Sequence, residues 1–441
     1  MSFLDWVYDK IASKVWNAAS SGKLEELVAG YPTTAAGMPV TLGTSMSLSA
    51  VWACVRIVSA AVASTPLHVY RGIRSQDREP VPGHALERVL CLRPNKYMTA
   101  ATFWRYLMTS KVLLGNGYAH IMRDRNGTPY GLYPIDPRNV SVYYAWELGM
   151  DQKYGMEKNR RLYYVTWPDG TFQLYDQDDI FHVPNVGFNG LVGMSTIRAA
   201  AQTIGLGLAA EQASSSFYEN GMVSQLAFTY PTPLKKPEVV ENLIKMYKER
   251  YMGAKNYNMP LFLTEGGDVK TLTMSASDAQ LIESRRFSVT EICRFFGVPP
   301  VMIGESEKTT SFGSGVEQMA RWFVTFTLSD HYVAIEQELE AKLFRMSPCF
   351  AEFDESELTR GDTKTRGDYY KIARGSMQEP GFMTINEIRA AEGLPPVPEG
   401  DKLQQVTVSQ TVTDQDEETG EEEEQLETAP EEEEENADER N

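Results

Sequence analysis

Apolar residues change their spacing three times along the first half of the chain. From Ser49 to Ser64 they follow helical spacing, and Pro66 stops the run. Leu67 to Arg71 then reads as a strand. A second helix is predicted near His84–Leu90, and a third over Ala100–Leu114 with Thr99 as its N-cap. From Tyr118 to Val183 the period falls to two, with aromatics and Val alternating in VSVYY, RLYYVTW and TFQLY. Turns are expected at Arg125-Asn126-Gly127 and Pro168-Asp169-Gly170. This half reads as one α+β domain. Ahead of it, a short amphipathic helix (Phe3–Trp16) and a Gly, Pro and Thr-rich linker (Gly30–Ser45) are expected.

The second half is mostly helical. A helix rich in Ala and Gly should start at Ser195, run to about Glu219 and end at Asn220-Gly221. A small insert follows, comprising a strand (LAFTY), a helix opened by Pro237 and a hairpin turning at Gly266-Gly267. Val240, Leu243, Ile244, Tyr247 and Tyr251 lie on one face of that helix. Ser277 and Gln280 form a capping-box pattern, and Gly297-Val298-Pro299-Pro300 ends the helix that follows. A Ser/Thr/Gly loop, Glu305–Gly313, leads to a second box at Ser314 and Glu317. That box opens a long helix to Phe344, roughly 45 Å at 1.5 Å per residue. Two short helices joined at Gly381 should occupy Thr363–Pro396, the second capped by Thr384 and Glu387.

Charge changes this picture at one end. The net charge of the 441 residues is −18. From Asp414 onward there are sixteen acids and one arginine, a net −15, which leaves a body of 44 acids and 41 bases at only −3. The tail reads as a solvated, disordered acidic segment. A near-neutral body argues against tight nonspecific DNA binding, which needs a dominant basic surface. Four cysteines stand far apart in sequence with no CxxC pair and read as reduced, mostly buried thiols. No run of eighteen apolar residues is present, so no spanning helix is expected. The first sixteen residues mix acids with bases and do not read as a secretory signal.

Enzymatic signatures are missing or weak. There is no GxxxxGK[ST] phosphate loop, no HExxH and no GxSxG elbow. Gly205-Leu206-Gly207-Leu208-Ala209-Ala210 matches GxGxxA but falls inside a predicted helix, where close packing is the better reading. Asp178-Asp179 beside a strand reads as a turn ahead of a two-metal site. No metal or other cofactor is expected. Arg285, Arg286 and Lys308, with Thr309, Thr310, Ser311, Gly313 and Ser314, form a polar rim that could touch DNA.

Four segments, in order, resemble the portal proteins of long-tailed, lambdoid-type double-stranded DNA phages. They are HALERVLCLRPNKYMTAATFWRYLMTSKVLLGNGYAHI, DDIFHVPNVGFNGLVGMSTI, FGVPPVMIGESEKTTSFGSGVEQM and MTINEIRAAEGLPPVPEGD. The resemblance covers about Ser47 to Asp401. It implies a ring, usually of twelve copies, around a channel for double-stranded DNA held without sequence preference. It implies an N-terminal arm (1–45), a wing (46–194), stem helices (195–223 and 275–299), a clip (224–274), a tunnel loop (300–313), a long helix returning to the wing (314–361) and a crown (362–400), ahead of the acidic tail (401–441). Implied partners are the terminase large subunit, the major capsid protein and a head–tail adaptor, with no membrane. Arg285 and Arg286 fall on the stem, and Lys308, Thr309, Thr310, Ser311 and Gly313 on the tunnel loop. Lys235, Lys236, Glu241, Lys245, Lys248 and Glu249 fall on the motor-docking clip. The virion's portal vertex is the implied location.

One departure stands out. The family often places Pro about two residues after the Thr-Leu of the long helix, whereas here Thr327-Leu328 precedes Ser329-Asp330. A straighter helix, or a kink of another cause, is expected there. Two competing functions are a nucleic-acid motor or nuclease, and a capsid adaptor or scaffold that does not enclose DNA. The missing phosphate loop and metal ligands weigh against the first, and the wing–stem–clip order against the second.

Overall fold

The computed structural model describes residues 34–404 apart from 75–77, 168, 220–225, 230–239, 243, 246–267, 272–276, 306–313, 346, 356–357, 359–362 and 377–378. The chain divides into two compact units, Met1–Arg360 and Gly361–Asn441.

In the first unit, α1 (Leu42–Ser47) and α2 (Ser49–Ser64) follow one another directly. The expected linker therefore ends early. Thr41 and Thr44 form a reciprocal cap on α1, and Val40 is fully buried. Ala35 N–H donates to Gln202 Oε1 at 3.0 Å, so residues 34–45 belong to the packed fold and not to a free arm. Helix α2 buries Val51, Cys54, Val55, Val58 and Val62, the stripe that its spacing predicts. Pro66 forces Thr65 into extended backbone and ends the helix. The chain then enters β1 (Leu67–Gly72), which pairs with β2 (Arg78–Pro80). The next helix, α3 (Ala85–Glu87), runs on as a π turn, Arg88–Leu92.

Helix α4 (Ala100–Leu114) has Thr99 as its N-cap and Gly115, at φ 87°, as its C-cap. A Cβ on Gly115 would lie 2.5 Å from the Gly193 carbonyl, so no other residue fits. Strands β3 (Asn116–Arg123) and β4 (Pro129–Ile135) form a hairpin, with Gly127 at φ 81° in the expected turn. Strands β5 (Val140–Tyr144), β6 (Arg161–Thr166) and β7 (Phe172–Asp176) make an antiparallel sheet, with α5 (Met150–Tyr154) in the first connection. Strand β8 (Ile180–Pro184) returns to β3, giving the order β4-β3-β8.

The helix expected from Ser195 is broken at Ala200 into α6 (Thr196–Ala199) and α7 (Ala201–Glu219). Ser195 does cap it, accepting from Arg198 N–H, but Ala200 leaves helical backbone at ψ 10°. Strands β9 (Leu226–Thr229) and β10 (Asp268–Thr271) pair antiparallel. The expected hairpin turn at Gly266-Gly267 lies outside the described residues. Helix α8 (Ser277–Phe296) packs against α7 and α2. Helix α9 (Ser314–Phe323) begins the long helix. Both helices start on the serine expected to precede them, one residue early, and those side chains lie outside the described residues.

The long helix is not uniform. A π turn, Val324–Leu328, separates α9 from α10 (Ser329–Lys342). The turn lies just ahead of the position where the proline is missing, and an inserted wide turn is itself a recognised source of helix bending. Thr327 Oγ1 donates to the Gly297 carbonyl at 2.6 Å, which docks the π turn on the end of α8. Strand β11 (Cys349–Phe353) then pairs with β1, from Leu67↔Phe353 to Arg71↔Cys349.

The second unit holds α11 (Thr363–Arg374) and α12 (Ile385–Ala391). Gly375, at φ 79°, follows α11, and Gly381 lies in the connection to α12 as expected. Thr384 and Glu387 form the predicted capping box. Asn386 fastens the following segment, its Nδ2 donating to Val397 O at 3.1 Å and to Asp401 Oδ1 at 2.8 Å, while its Oδ1 accepts from Val397 N–H. Residues 405–441, which carry nearly all of the acidic tail, lie outside the described residues.

Two tests follow from the first unit's core. Lys111 on α4 is buried and its Nζ donates to His331 Nδ1 on α10 at 2.9 Å. Burial draws the Lys111 pKa down to about 8 against the pull of Asp330, while burial and the Lys111 charge draw His331 down to about 3. An unfolded histidine takes up its proton near 6.5. The linked stability is therefore complete above that pH and is lost as pH falls toward about 3. His331→Gln keeps an acceptor but does not titrate. Its loss of unfolding free energy between about pH 6.5 and about pH 4 should be smaller than the wild type's by up to about 3 kcal/mol, read from urea midpoints. Gly297, at φ 65°, has no room for a Cβ beside Thr327 Oγ1 at 2.8 Å. Gly297→Ala should destabilise the chain by about 1–3 kcal/mol in the same measurement.

Candidate channel and docking surfaces

The elements named for DNA passage form a helical pair topped by a small sheet. Helix α7 leads to β9, β10 leads to α8, β9 pairs with β10, and α7 packs on α8. Small residues on α7 let the segment from Thr34 to Leu48 approach it closely. A Cβ on Gly205 would collide with the Thr34 side chain, and one on Gly207 would sit 3.4 Å from Leu48. The GxGxxA match is thus a packing feature inside α7. Arg286 is exposed on α8 and lines a cavity of about 280 Å³ between α2, α7 and α8, together with Glu211, Ser288 and Glu305. Two carboxylates beside one guanidinium make this cavity a poor phosphate site.

Few of the other site residues predicted from sequence are described. Glu241 and Lys245 are exposed on helical backbone, as are Val240 and Ile244. The Arg285 side chain lies outside the described residues, as do Lys235, Lys236, Lys248, Glu249, Lys308, Thr309, Thr310, Ser311 and Gly313.

Asp178 and Asp179 sit at a 3-10 turn, Gln177–Asp179. Asp178 pairs with Arg160 and Arg345 at 2.9 and 3.0 Å. Those arginines hold its carboxyl below the ordinary range against the opposing, largest effect of burial. Among the described residues no group of three or more His, Cys, Asp or Glu is arranged to hold a metal ion. No described helix is long and apolar enough to cross a membrane.

An aromatic surface was missed from sequence. Trp322 (53% exposed) and Phe326 (77%) stand one turn apart on α9 and the π turn, while Phe323, Val324 and Leu328 turn into the core. Phe287 and Phe295 are exposed on α8. A groove of about 270 Å³ runs between these helices, lined by Cys293, Val298, Pro299, Trp322, Phe323 and Phe326. Phe188 is 91% exposed at the tip of the loop after β8, where Asn189 Oδ1 accepts from Leu191 and Val192 N–H. The available signal was a helix with large apolar residues on opposite faces, which a single core cannot cover.

Comparison with known proteins defines the class of this architecture. The family model "Phage portal protein" matches residues 49–393. The portal protein of Enterobacteria phage HK97 is 32% identical over 365 residues, covering 81% of each chain. A probable portal protein of Streptomyces phage phiC31 is 28% identical over 377 residues, covering 83% of this chain and 79% of the other. Among solved structures, a chain in the neck of a native gene transfer agent particle, computed with C12 symmetry, superposes with a TM-score of 0.54. It is 23% identical, and the match covers 80% of this chain and 92% of that one. The chain belongs to the phage portal protein family. It is a head–tail connector subunit of the virion's portal vertex, and its family is a structural one.

Proposed function

We propose that this chain is one of twelve subunits in a ring that passes double-stranded DNA through its centre during packaging and ejection and catalyses nothing itself. The observation that carries the reading is the α7–α8 pair rising from the wing and topped by the β9–β10 sheet. The twelvefold count takes support from the C12 symmetry of the gene transfer agent neck. In this reading residues 46–194 are the wing, 195–223 and 275–299 the stem, 224–274 the clip, 300–313 the tunnel loop, 314–361 the long helix and its return, and 362–400 the crown.

Closed rings are built from heterologous contacts, so each subunit offers two different faces. The exposed aromatics of α8, α9 and the π turn suit one such face, since no described residue covers them. The near-neutral body lets DNA slide, because each neutralised phosphate adds salt-dependent affinity that twelve copies would multiply. The clip residues Lys235, Lys236, Glu241, Lys245, Lys248 and Glu249 would meet the terminase large subunit and later the head–tail adaptor. The outer wing would meet the major capsid protein.

Native mass measurement on the purified chain tests the ring. A monomer or dimer at every concentration would sink the proposal, and ATP turnover by the isolated chain would sink its non-catalytic part. Replacing Trp322 and Phe326 together by Ser should leave the single chain's stability within about 0.5 kcal/mol, because both are exposed. Ring yield should nevertheless fall by about tenfold or more. Lys308→Ala should lower genome packaging or retention with rings still assembled, and unchanged packaging would remove Lys308 from the DNA-facing set.

A further inference from the structure

Cys54 on α2 and Cys293 on α8 are separated by 239 residues, yet their sulfurs lie 3.9 Å apart. Both side chains are buried, and all four cysteines are free thiols. The other two differ in setting. Cys91 Sγ donates to the Leu67 carbonyl at 2.7 Å, and Cys349 lies on β11. Only about 2 Å of approach separates the 54/293 pair from a disulfide bond length of ~2.0 Å. Cys293 also forms part of the wall of the aromatic groove beside Pro299 and Trp322, which gives a small reagent a side from which to approach.

We infer that Cys54 and Cys293 are an oxidisable pair that stays reduced while the ring assembles in the host cytoplasm and closes into an intrachain disulfide, fastening α8 to α2, once the virion has left it. The inference does not depend on which residues line the channel. It requires only that the particle move from a reducing to an oxidising medium.

The two thiols differ in access. Cys293 borders the groove and Cys54 does not, so Cys293 is the attacking thiolate and Cys54 the resolving thiol. The oxidant is a small disulfide such as oxidised glutathione. Cys293 attacks one of its sulfurs, forming a mixed disulfide and releasing one glutathione thiolate. That thiolate takes the Cys54 proton. The Cys54 sulfur then attacks Cys293 Sγ, closes the protein disulfide and expels the second glutathione, which takes up the proton first lost by Cys293. One external disulfide is reduced and two cysteines are oxidised. The closed loop spans more than half of the chain, so the link restrains the unfolded state strongly.

The test uses full-length rings purified under reductant, then exposed to oxidised glutathione, denatured, alkylated and digested. A peptide linking Cys54 to Cys293 is expected, as is a melting temperature about 5 °C above that of the reduced rings and reversed by dithiothreitol. Cys54→Ala should trap glutathione on Cys293, and Cys293→Ala should leave Cys54 unmodified. Virions purified without reductant should carry the linked peptide already. Free thiols at both positions in treated wild-type rings and in such virions would overturn the inference, whatever happens at Cys91. That outcome is read on the wild type alone, so a variant that fails to fold does not obscure it.

Discussion

The buried face of α10 holds the first unit together. Tyr332 packs at a tilt on Phe353 with ring centres 4.7 Å apart and shares a hydrogen bond of 2.7 Å with Thr65 at the end of α2. Glu336 accepts from the Phe353 N–H of β11 at 2.8 Å, and Glu338 accepts from the His182 N–H of β8 at 3.0 Å. His331 meets the buried Lys111 of α4. One helix thus supplies the missing partners of two helices and two sheets. Its carboxylates spend their charge on backbone donors that no strand reaches, since an unmet buried donor costs about 1–3 kcal/mol. Glu336 is itself buried, and burial raises its pKa against the Phe353 N–H and Arg74.

This arrangement also fixes where the α7–α8 pair emerges. Gly115, at the end of α4, leaves no space between that turn and Gly193, and Asn116 bonds Gly193 through both its N–H and its carbonyl. Ser195 then starts α6 with its hydroxyl on the Leu113 carbonyl at 2.6 Å. The start of the α7–α8 pair is thereby tied to the core and not to a surface loop. A root of this kind is more rigid than a loop with few buried contacts would be.

Local chemistry made much of the fold legible in the sequence. Thr99, Pro66 and Gly127 mark their boundaries because caps, proline and left-handed turns act within a few residues. The capping box of Thr384 and Glu387 is visible for the same reason. Features set by distant partners were not legible. Lys111 reads as a solvated lysine until His331, far along the chain, covers it. The π turn at Val324–Leu328 has no composition of its own, and Ala200 breaks its helix without glycine or proline. The family could be read from four ordered segments, whereas the exposure of Trp322 and Phe326 depends on what packs around α9.

The pairing of β1 with β11 has a consequence for how the protein is made. Leu67 leaves the ribosome long before its partner Phe353 exists. At ~5–20 residues per second, that interval takes about 15–60 s. Throughout it, β1 has no β11 beside it and α2 and α4 lack the helix that covers their buried polar groups. The nascent first unit therefore stays open along β1, α2 and α4 until these partners are made. Its completion is timed by the arrival of residues 329–353, so ring-competent subunits appear only near the end of synthesis.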